Sequence, residues 1–211
     1  MNVTERILSY AHTYFDVAGL YRFSATESAL ILGLESTPQR NLDDFKKTNG
    51  GLFMKGFKQY VQPGLQSITT KLGDEGILAK PIGKYGYISK WADDFINYKN
   101  AAIKAGLGKR GKNTIVINPV FGTRLRFAAL KIDTFVETTE DNTDEGSPFC
   151  QTCSVCINEC PVRILEPYQM LDAPKCLANS RNNLAAMNGR RVILCDICLA
   201  KCPANEVGVK E

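Results

Sequence analysis

The run Cys150-Gln-Thr-Cys153-Ser-Val-Cys156-Ile-Asn-Glu-Cys160-Pro161 sets the strongest constraint on this chain. Its spacing is C-x2-C-x2-C-x3-C-P. Two-residue gaps let one loop wrap three corners of an iron–sulfur cubane, with backbone N–H groups turned toward the sulfurs. The fourth cysteine points out of that loop, and the proline after it stops any regular element at the ligand. A second, incomplete copy closes the chain: Cys176, then Cys195, Cys198, Cys202 and Pro203. All eight cysteines fall in these two groups, and the first 149 residues hold none. Two [4Fe–4S] clusters need eight thiolates, which is the number present.

In two-cluster ferredoxins the fourth cysteine of each run ligates the other cluster. The expected sharing is therefore Cys150, Cys153, Cys156 and Cys202 on one cluster, with Cys160, Cys176, Cys195 and Cys198 on the other. Cys176 takes the place of the cysteine missing from the second run. Two other uses of eight cysteines were weighed. Four disulfides belong to secreted chains, but no basic-then-apolar leader opens this one and most of it lacks cysteine. Two four-cysteine zinc sites would be built from C-x2-C pairs rather than from a three-cysteine run ending in C-P.

A chain of 211 residues can bury one sizeable core and carry a small appended module. No apolar run approaches the ~20 residues of a membrane-spanning helix. The N-terminus lacks a signal-peptide pattern. A cytoplasmic protein is expected, in a reducing compartment that suits such clusters. The charge is split: residues 1–131 hold 19 basic and 10 acidic residues, and residues 132–211 hold 7 and 12. The balance of +9 in the first part points either to an anionic ligand, such as a phosphate-bearing cofactor or nucleic acid, or to lysines that only solvate the surface.

Along the chain, Asn2 to Ala18 reads as a helix with Ile7, Tyr10, Ala11, Tyr14 and Ala18 on one face. Asn2 and Glu5 form a capping box. The single histidine, His12, lies on this helix and reads as structural. Ser28 to Leu34 is a buried strand, Thr37 to Gly51 a polar loop, and Pro63 to Leu72 a helix with Pro63 in its first turn. A strand follows from Ile77 to Ile82, and a helix from Trp91 to Ala105 that stops at Gly106. Thr114 to Asn118 and Arg124 to Thr134 read as strands, the latter with one polar face. The acidic stretch around Glu137 to Gly146 reads as a linker. The expected organisation is an α+β domain over 1–135, a linker over 136–146 and a cluster module over 147–211.

Gly106-Leu-Gly108-Lys109-Arg110-Gly111-Lys112-Asn113 has the outline of a P-loop, with Asn where that motif needs a hydroxyl. A P-loop also runs from strand to helix, whereas a helix precedes this loop. It reads as a tight glycine turn, or as a loop whose backbone approaches a bound cofactor with help from Lys109, Arg110 and Lys112.

Three segments together resemble the epoxyqueuosine reductases, and are similar to the reductive dehalogenases that share their core. These are Ala101 to Gly108, Gly111-Lys-Asn-Thr-Ile-Val-Ile-Asn-Pro119, and the cysteine pattern from Cys150 to Pro203. The resemblance covers residues 95 to 203. It implies a nitroreductase-like α+β cofactor domain holding a cobalamin, followed by a ferredoxin-like module whose two [4Fe–4S] clusters feed it electrons. The cobalamin, reduced to Co(I), would attack or reduce the substrate. Gly106 to Asn113 would be the cofactor-side loop. The family's proton-donor segment, Asp-Ser/Thr-Ala-Pro, aligns near Ala92. Here the sequence is Lys-Trp-Ala92-Asp93-Asp94-Phe, without the proline. Asp93, Asp94 and Tyr98 are the residues expected beside the reaction centre. The helical-repeat region that longer members use for tRNA is not found in this sequence, so tRNA binding stays open without support from it.

Three functions stay open at this level. One is a corrinoid-dependent reductase acting on a small-molecule or nucleotide-like substrate. A second is an electron-transfer or activating protein with no substrate of its own. A third is a flavin-dependent reductase, since the nitroreductase-like fold elsewhere holds FMN. Each draws electrons from an external low-potential donor of the ferredoxin or flavodoxin type, and none is expected at a membrane.

Overall fold

The computed structural model describes residues 2–22, 24–48, 51–82, 97–134, 136–139, 146–172, 175–176, 179, 191–192 and 195–207. Its first region is built on a four-stranded antiparallel sheet in the order β1-β2-β8-β5. These strands are β1 (Val17–Arg22), β2 (Ser28–Glu35), β5 (Ala79–Pro81) and β8 (Leu125–Ile132). β2 is central and pairs with β1 from Val17↔Gly33 to Arg22↔Ser28. On its other side it pairs with β8 from Ser28↔Ile132 to Glu35↔Leu125. Side chains alternate across a strand, so β2 serves both faces. Leu30, Leu32 and Leu34 meet one core, and Ala29 and Ile31 meet another. A strand covered on both sides carries a continuous apolar run instead of a polar alternation.

Helices α1 (Val3–His12) and α3 (Gln62–Asp74) fill the first core. Ile7 and Ala11 from α1 join Leu65, Ile68 and Leu72 from α3 beneath Leu20, Leu30, Leu130 and Ile132. The capping box on α1 is formed: Glu5 N–H donates to Asn2 Oδ1 at 2.8 Å, and Asn2 N–H donates to Glu5 Oε2 at 2.9 Å. The short helix α2 (Lys55–Tyr60) leads into α3. On the opposite face lies α4 (Tyr98–Lys104), which buries Ala101, Ala102 and Ile103 against Ala29, Ile31 and Ala129.

Several sequence expectations shift. The first helix ends at His12, not Ala18, because Val17 onward pairs with β2, and sheet pairing overrides the helical period. His12 is exposed at its end. The polar stretch from Thr37 to Gly51 contains β3 (Phe45–Thr48), which pairs with β4 (Gly51–Met54) and with β11 (Arg191–Val192). Its partner β4 follows directly, and Asn49-Gly50 between the two is a hairpin dipeptide within the stretch read as a loop, whereas the local sequence does not announce the distant β11. The strand expected from Ile77 is shorter, and its Pro81 is tolerated because β5 is an edge strand. β8 has no solvent face. Arg126 pairs with Asp43 at 2.6 Å, while Ala128, Leu130 and Ile132 from the same side enter the first core. Of the helix expected over Trp91 to Ala105, residues 91–96 lie outside the described ones.

Val136 to Thr139, within the stretch read as a linker, dock on the sheet. Val136 is buried in the first core. Thr139 N–H donates to the Leu20 carbonyl at 3.0 Å, and its hydroxyl donates to the Ala105 carbonyl at 3.0 Å.

Candidate metal centre

Beyond β8 the chain forms short pieces around its cysteines. A 3-10 turn over Pro148–Cys150 precedes α5 (Val155–Asn158), and β9 (Leu165–Glu166) pairs with β10 (Gln169–Met170). The second cysteine run forms α6 (Ile197–Ala200), then a 3-10 turn over Pro203–Glu206. The two runs fold alike. Cys156 sits in α5 and Cys198 in α6, and each is followed four residues later by a cysteine before proline. Cys150, Cys153, Cys156, Cys160, Cys198 and Cys202 are free thiols.

The cysteines separate into two groups. Cys150, Cys153, Cys156 and Cys202 line one pocket, together with Asn113, Phe149 and Pro203. Cys150 packs with Ile117, Ala204 and Cys202. Cys160 packs in a different cluster, with Ile164, Leu165, Cys176 and Cys198. Electrostatics follow the same division. Burial raises the Cys156 thiol pKa, and the sulfurs of Cys150, Cys202 and Cys153 raise it further. Burial raises Cys202 too, with Cys150 and Cys153 adding to it while the N–H groups of Ala204 and Asn205 oppose it. In the second group burial pushes Cys198 up to about 11, and Cys176, Cys195, Cys156 and Cys160 push the same way. Burial also raises Cys176, helped by Cys195 and Cys160. Crowded, half-buried thiols that hold their protons against one another suit a cationic guest, because coordination deprotonates a thiol outright. Among the described residues, no three His, Cys, Asp or Glu side chains converge as a single-ion site.

What brings Cys202 back to the first run is a set of contacts onto the sheet region. Arg124 lies at the start of β8 and is paired with Glu35 at 2.7 Å. Its guanidinium also donates to the Asn205 carbonyl. The buried Thr123 hydroxyl donates to Asn205 Oδ1 at 3.1 Å. Gly122 has φ +55°, and a Cβ there would collide with the Ala204 carbonyl oxygen. A side chain at 122 would lift the Pro203–Glu206 turn off β8.

The glycine segment is a hairpin. Gly106 follows α4, β6 (Lys109–Arg110) pairs with β7 (Val116–Ile117), and Gly111 N–H closes the turn on the Ile115 carbonyl at 2.7 Å. A Cβ on Gly108 would lie 2.6 Å from the Ile117 carbonyl oxygen, so this strand sits tight against its neighbour. The hairpin tip meets the cysteine loops. Lys112 N–H approaches Cys150 Sγ at 3.5 Å, and Lys112 Nζ donates to the Cys153 carbonyl at 2.8 Å and the Gln151 carbonyl at 3.4 Å. Asn113 is 1% exposed and donates from Nδ2 to the Cys198 carbonyl at 3.0 Å. Ser147 N–H donates to the Arg110 carbonyl at 2.7 Å, and the Arg110 side chain donates to Asn100 at 2.7 Å. The predicted residues Gly106, Gly108, Lys109, Arg110, Gly111, Lys112 and Asn113 thus come together as a bracket, whose tip holds both cysteine groups. Of the three residues expected beside a reaction centre, Asp93 and Asp94 lie outside the described ones. Tyr98 is half-buried at the start of α4, with its hydroxyl donating to the Ile82 carbonyl.

Sequence reading missed Lys99. It is half-buried on α4, with Nζ 3.3 Å from Thr114 Oγ1. Burial lowers its pKa, which the nearby Cys198 and Cys176 sulfurs oppose and Arg110 reinforces. Nothing in its local sequence marks it, because its neighbours come from β7's approach and from α6. Thr123 and Asn205 were missed for the same reason.

No family model matches this chain. Among curated proteins, the epoxyqueuosine reductase of Cyclobacterium marinum is 32% identical over 112 residues, 49% of this chain and 35% of that one. That of Pseudomonas aeruginosa is 27% identical over 160 residues, 72% of this chain and 42% of that one. The chain thus spans roughly a third to two-fifths of the length of these relatives. Among solved structures, an epoxyqueuosine reductase bound to an epoxyqueuosine-modified tRNA stem loop superposes with a TM-score of 0.66. It is 16% identical, and the match covers 98% of this chain and 66% of that one. A reductive dehalogenase described with a mechanism for B12-dependent dehalogenation gives a TM-score of 0.65 at 16% identity, over 95% of this chain and 32% of that one. Among the described residues, no helix is long and apolar enough to cross a membrane. By sequence this chain is similar to epoxyqueuosine reductases over part of their length, and its fold is similar to theirs and to that of the reductive dehalogenases.

Proposed function

We propose that this protein is an iron–sulfur oxidoreductase of the epoxyqueuosine reductase-like type. It carries electrons from an external low-potential donor through two [4Fe–4S] clusters to a group or substrate at the sheet region. One observation carries the reading: Cys202, from the second run, lines the same pocket as Cys150, Cys153 and Cys156 from the first. That exchange is the sharing which two adjoining cubanes require. A tetrahedral zinc needs four sulfurs converging on one point. The three-cysteine run closed by Cys160-Pro161, with a fourth thiol lent by the second run, matches the cubane pattern rather than paired C-x2-C zinc ligands. The clusters would be held by Cys150, Cys153, Cys156 and Cys202, and by Cys160, Cys176, Cys195 and Cys198. α5, which carries Cys156, packs against α6, which carries Cys198, and this supports a close approach of the two clusters and fast transfer.

The protein's own part is to exclude water, fix the ligands and supply donors to the sulfurs. The cysteine-bearing region, about 147–211, is the electron module, and 1–135 is the acceptor side. A corrinoid is the acceptor that the relation to a B12-dependent dehalogenase fold favours. For that group the fit is different. The tip of the Gly106–Asn113 hairpin is engaged with Cys150, Cys153 and Cys198, so we assign this hairpin to the clusters and derive no step through a corrinoid.

The test is anaerobic purification with iron, sulfide, zinc and cobalt counts, then addition of hydroxocobalamin or FMN with the visible spectrum followed. About eight irons per chain are expected; a spectral shift on adding hydroxocobalamin would identify a corrinoid as the acceptor, and one on adding FMN a flavin. Cys156→Ser and Cys202→Ser should each remove the same cluster, and Cys195→Ser the other. Zinc in place of iron would overturn the reading, as would Cys156→Ser and Cys202→Ser sparing different clusters.

A further inference from the structure

Lys112 is placed to act on one cysteine group and not the other. Its ammonium meets the carbonyls of Gln151 and Cys153, inside the first cysteine loop, at 3.4 and 2.8 Å. Its own N–H points at Cys150 Sγ. Its carbonyl accepts from Tyr168 N–H at 3.1 Å, which fixes the backbone at this residue. The side chain is therefore held from both ends of the residue, and its charge rests beside the pocket of Cys150, Cys153, Cys156 and Cys202. The link from the hairpin to the other group is made by the neutral amide of Asn113, at the Cys198 carbonyl.

Resting on the cluster reading above, we propose that Lys112 is a positioning residue that selectively raises the reduction potential of the cluster held by Cys150, Cys153, Cys156 and Cys202. Reduction adds one electron to a cluster that already carries net negative charge with its thiolates. A cation in the first loop stabilises that added charge, and Coulomb attraction weakens with distance and water, so the nearer cluster gains more. Hydrogen bonds to the sulfurs and burial set cluster potentials in the same way. The Lys112 N–H survives a side-chain substitution, so Lys112→Met keeps the approach to Cys150 Sγ and removes the charge together with its two carbonyl contacts.

The experiment is a redox titration of the iron-loaded protein with dithionite, followed by electron paramagnetic resonance. Cys195→Ser, which keeps the first cluster, assigns the signals. Lys112→Met should lower the midpoint of the first cluster and move the second much less. Lys112→Arg should restore it. Lys112→Gln keeps a donor to the two carbonyls without the charge, and should show the same drop if Lys112→Met loses iron. Unchanged midpoints in both charge-removing variants would overturn the inference and leave the cluster reading standing. So would equal shifts of both clusters, or an equal shift from Lys71→Met on α3, across the sheet. Wild-type protein that holds no pair of clusters would overturn both together.

Discussion

Among the described residues, the twelve largest fully buried side chains all lie between Ile7 and Ile132. Among the described residues of 146–207, the buried apolar groups are three cysteines with Ile164, Leu165 and Ala204. The sheet region closes two cores around a strand buried on both faces. The cysteine region has two small clusters, each built partly of thiols. The difference lies in what each needs in order to fold. A short segment buries too little apolar area to offset its chain entropy, and usually needs a metal or another staple. Here the staples are the bracket at Lys112 and Asn113, the clamp at Thr123 and Arg124, and the clusters proposed above. The sheet region, with two apolar cores of its own, is expected to fold without them.

The largest effect should follow from removing iron. In a small metal domain the binding free energy is folding free energy. Iron-free protein should lose protection between Cys150 and Cys202 while the region through Thr139 stays folded. Limited proteolysis with mass spectrometry reads this directly, as early cuts in the cysteine region and a surviving N-terminal fragment. Equal protection of both regions without iron would break the comparison. Leu30→Ala acts on the other side. Leu30 is fully buried in the first core, so the substitution should cost about 2–5 kcal/mol. Urea unfolding followed by far-ultraviolet circular dichroism should give a similar loss with and without iron. A loss seen only in the iron-loaded protein would mean that the sheet depends on the module.

The sequence made these two regions legible to different depths. In the cysteine region, the sharing rule of two-cluster ferredoxins grouped Cys202 with Cys150, Cys153 and Cys156, and these four side chains line one pocket. The sheet's central strand was equally legible, since burial on both faces writes itself as the apolar run from Ser28 to Leu34. A strand that takes a partner from far away was not: β3 pairs with its neighbour β4 and also with β11, more than 140 residues later. The hairpin from Gly106 to Asn113 was found as a motif, but its direction was not. Its glycines announce a tight turn and say nothing of which surface the tip meets. Lys99, Thr123 and Asn205 belong to contacts between elements far apart in sequence, and only the assembled fold brings them together.

The smallest predicted effect lies at the seam. Thr123→Val keeps the shape of a residue 1% exposed and removes only its hydroxyl, the donor to Asn205 Oδ1. Asn205 is half-buried, so water can replace part of what is lost, and the cost should be about 1 kcal/mol. Arg124 and the close packing at Gly122 still hold the turn, so it should open more often without detaching. Hydrogen exchange resolves where that cost falls, because amides report the opening of their own unit. The Asn205 amide, bonded to the Cys202 carbonyl at 2.9 Å, should exchange about fivefold faster. Amides of β2, such as Leu32, should not change. The Pro203–Glu206 turn would then move with the cysteine region, and Cys202 would be lent to the first group by a segment that the sheet merely steadies. If β2 exchanged faster by the same factor, the turn would belong to the cooperative unit of the sheet. The first cysteine group would then be built across both regions, and its fourth ligand would stand on the side that needs no iron.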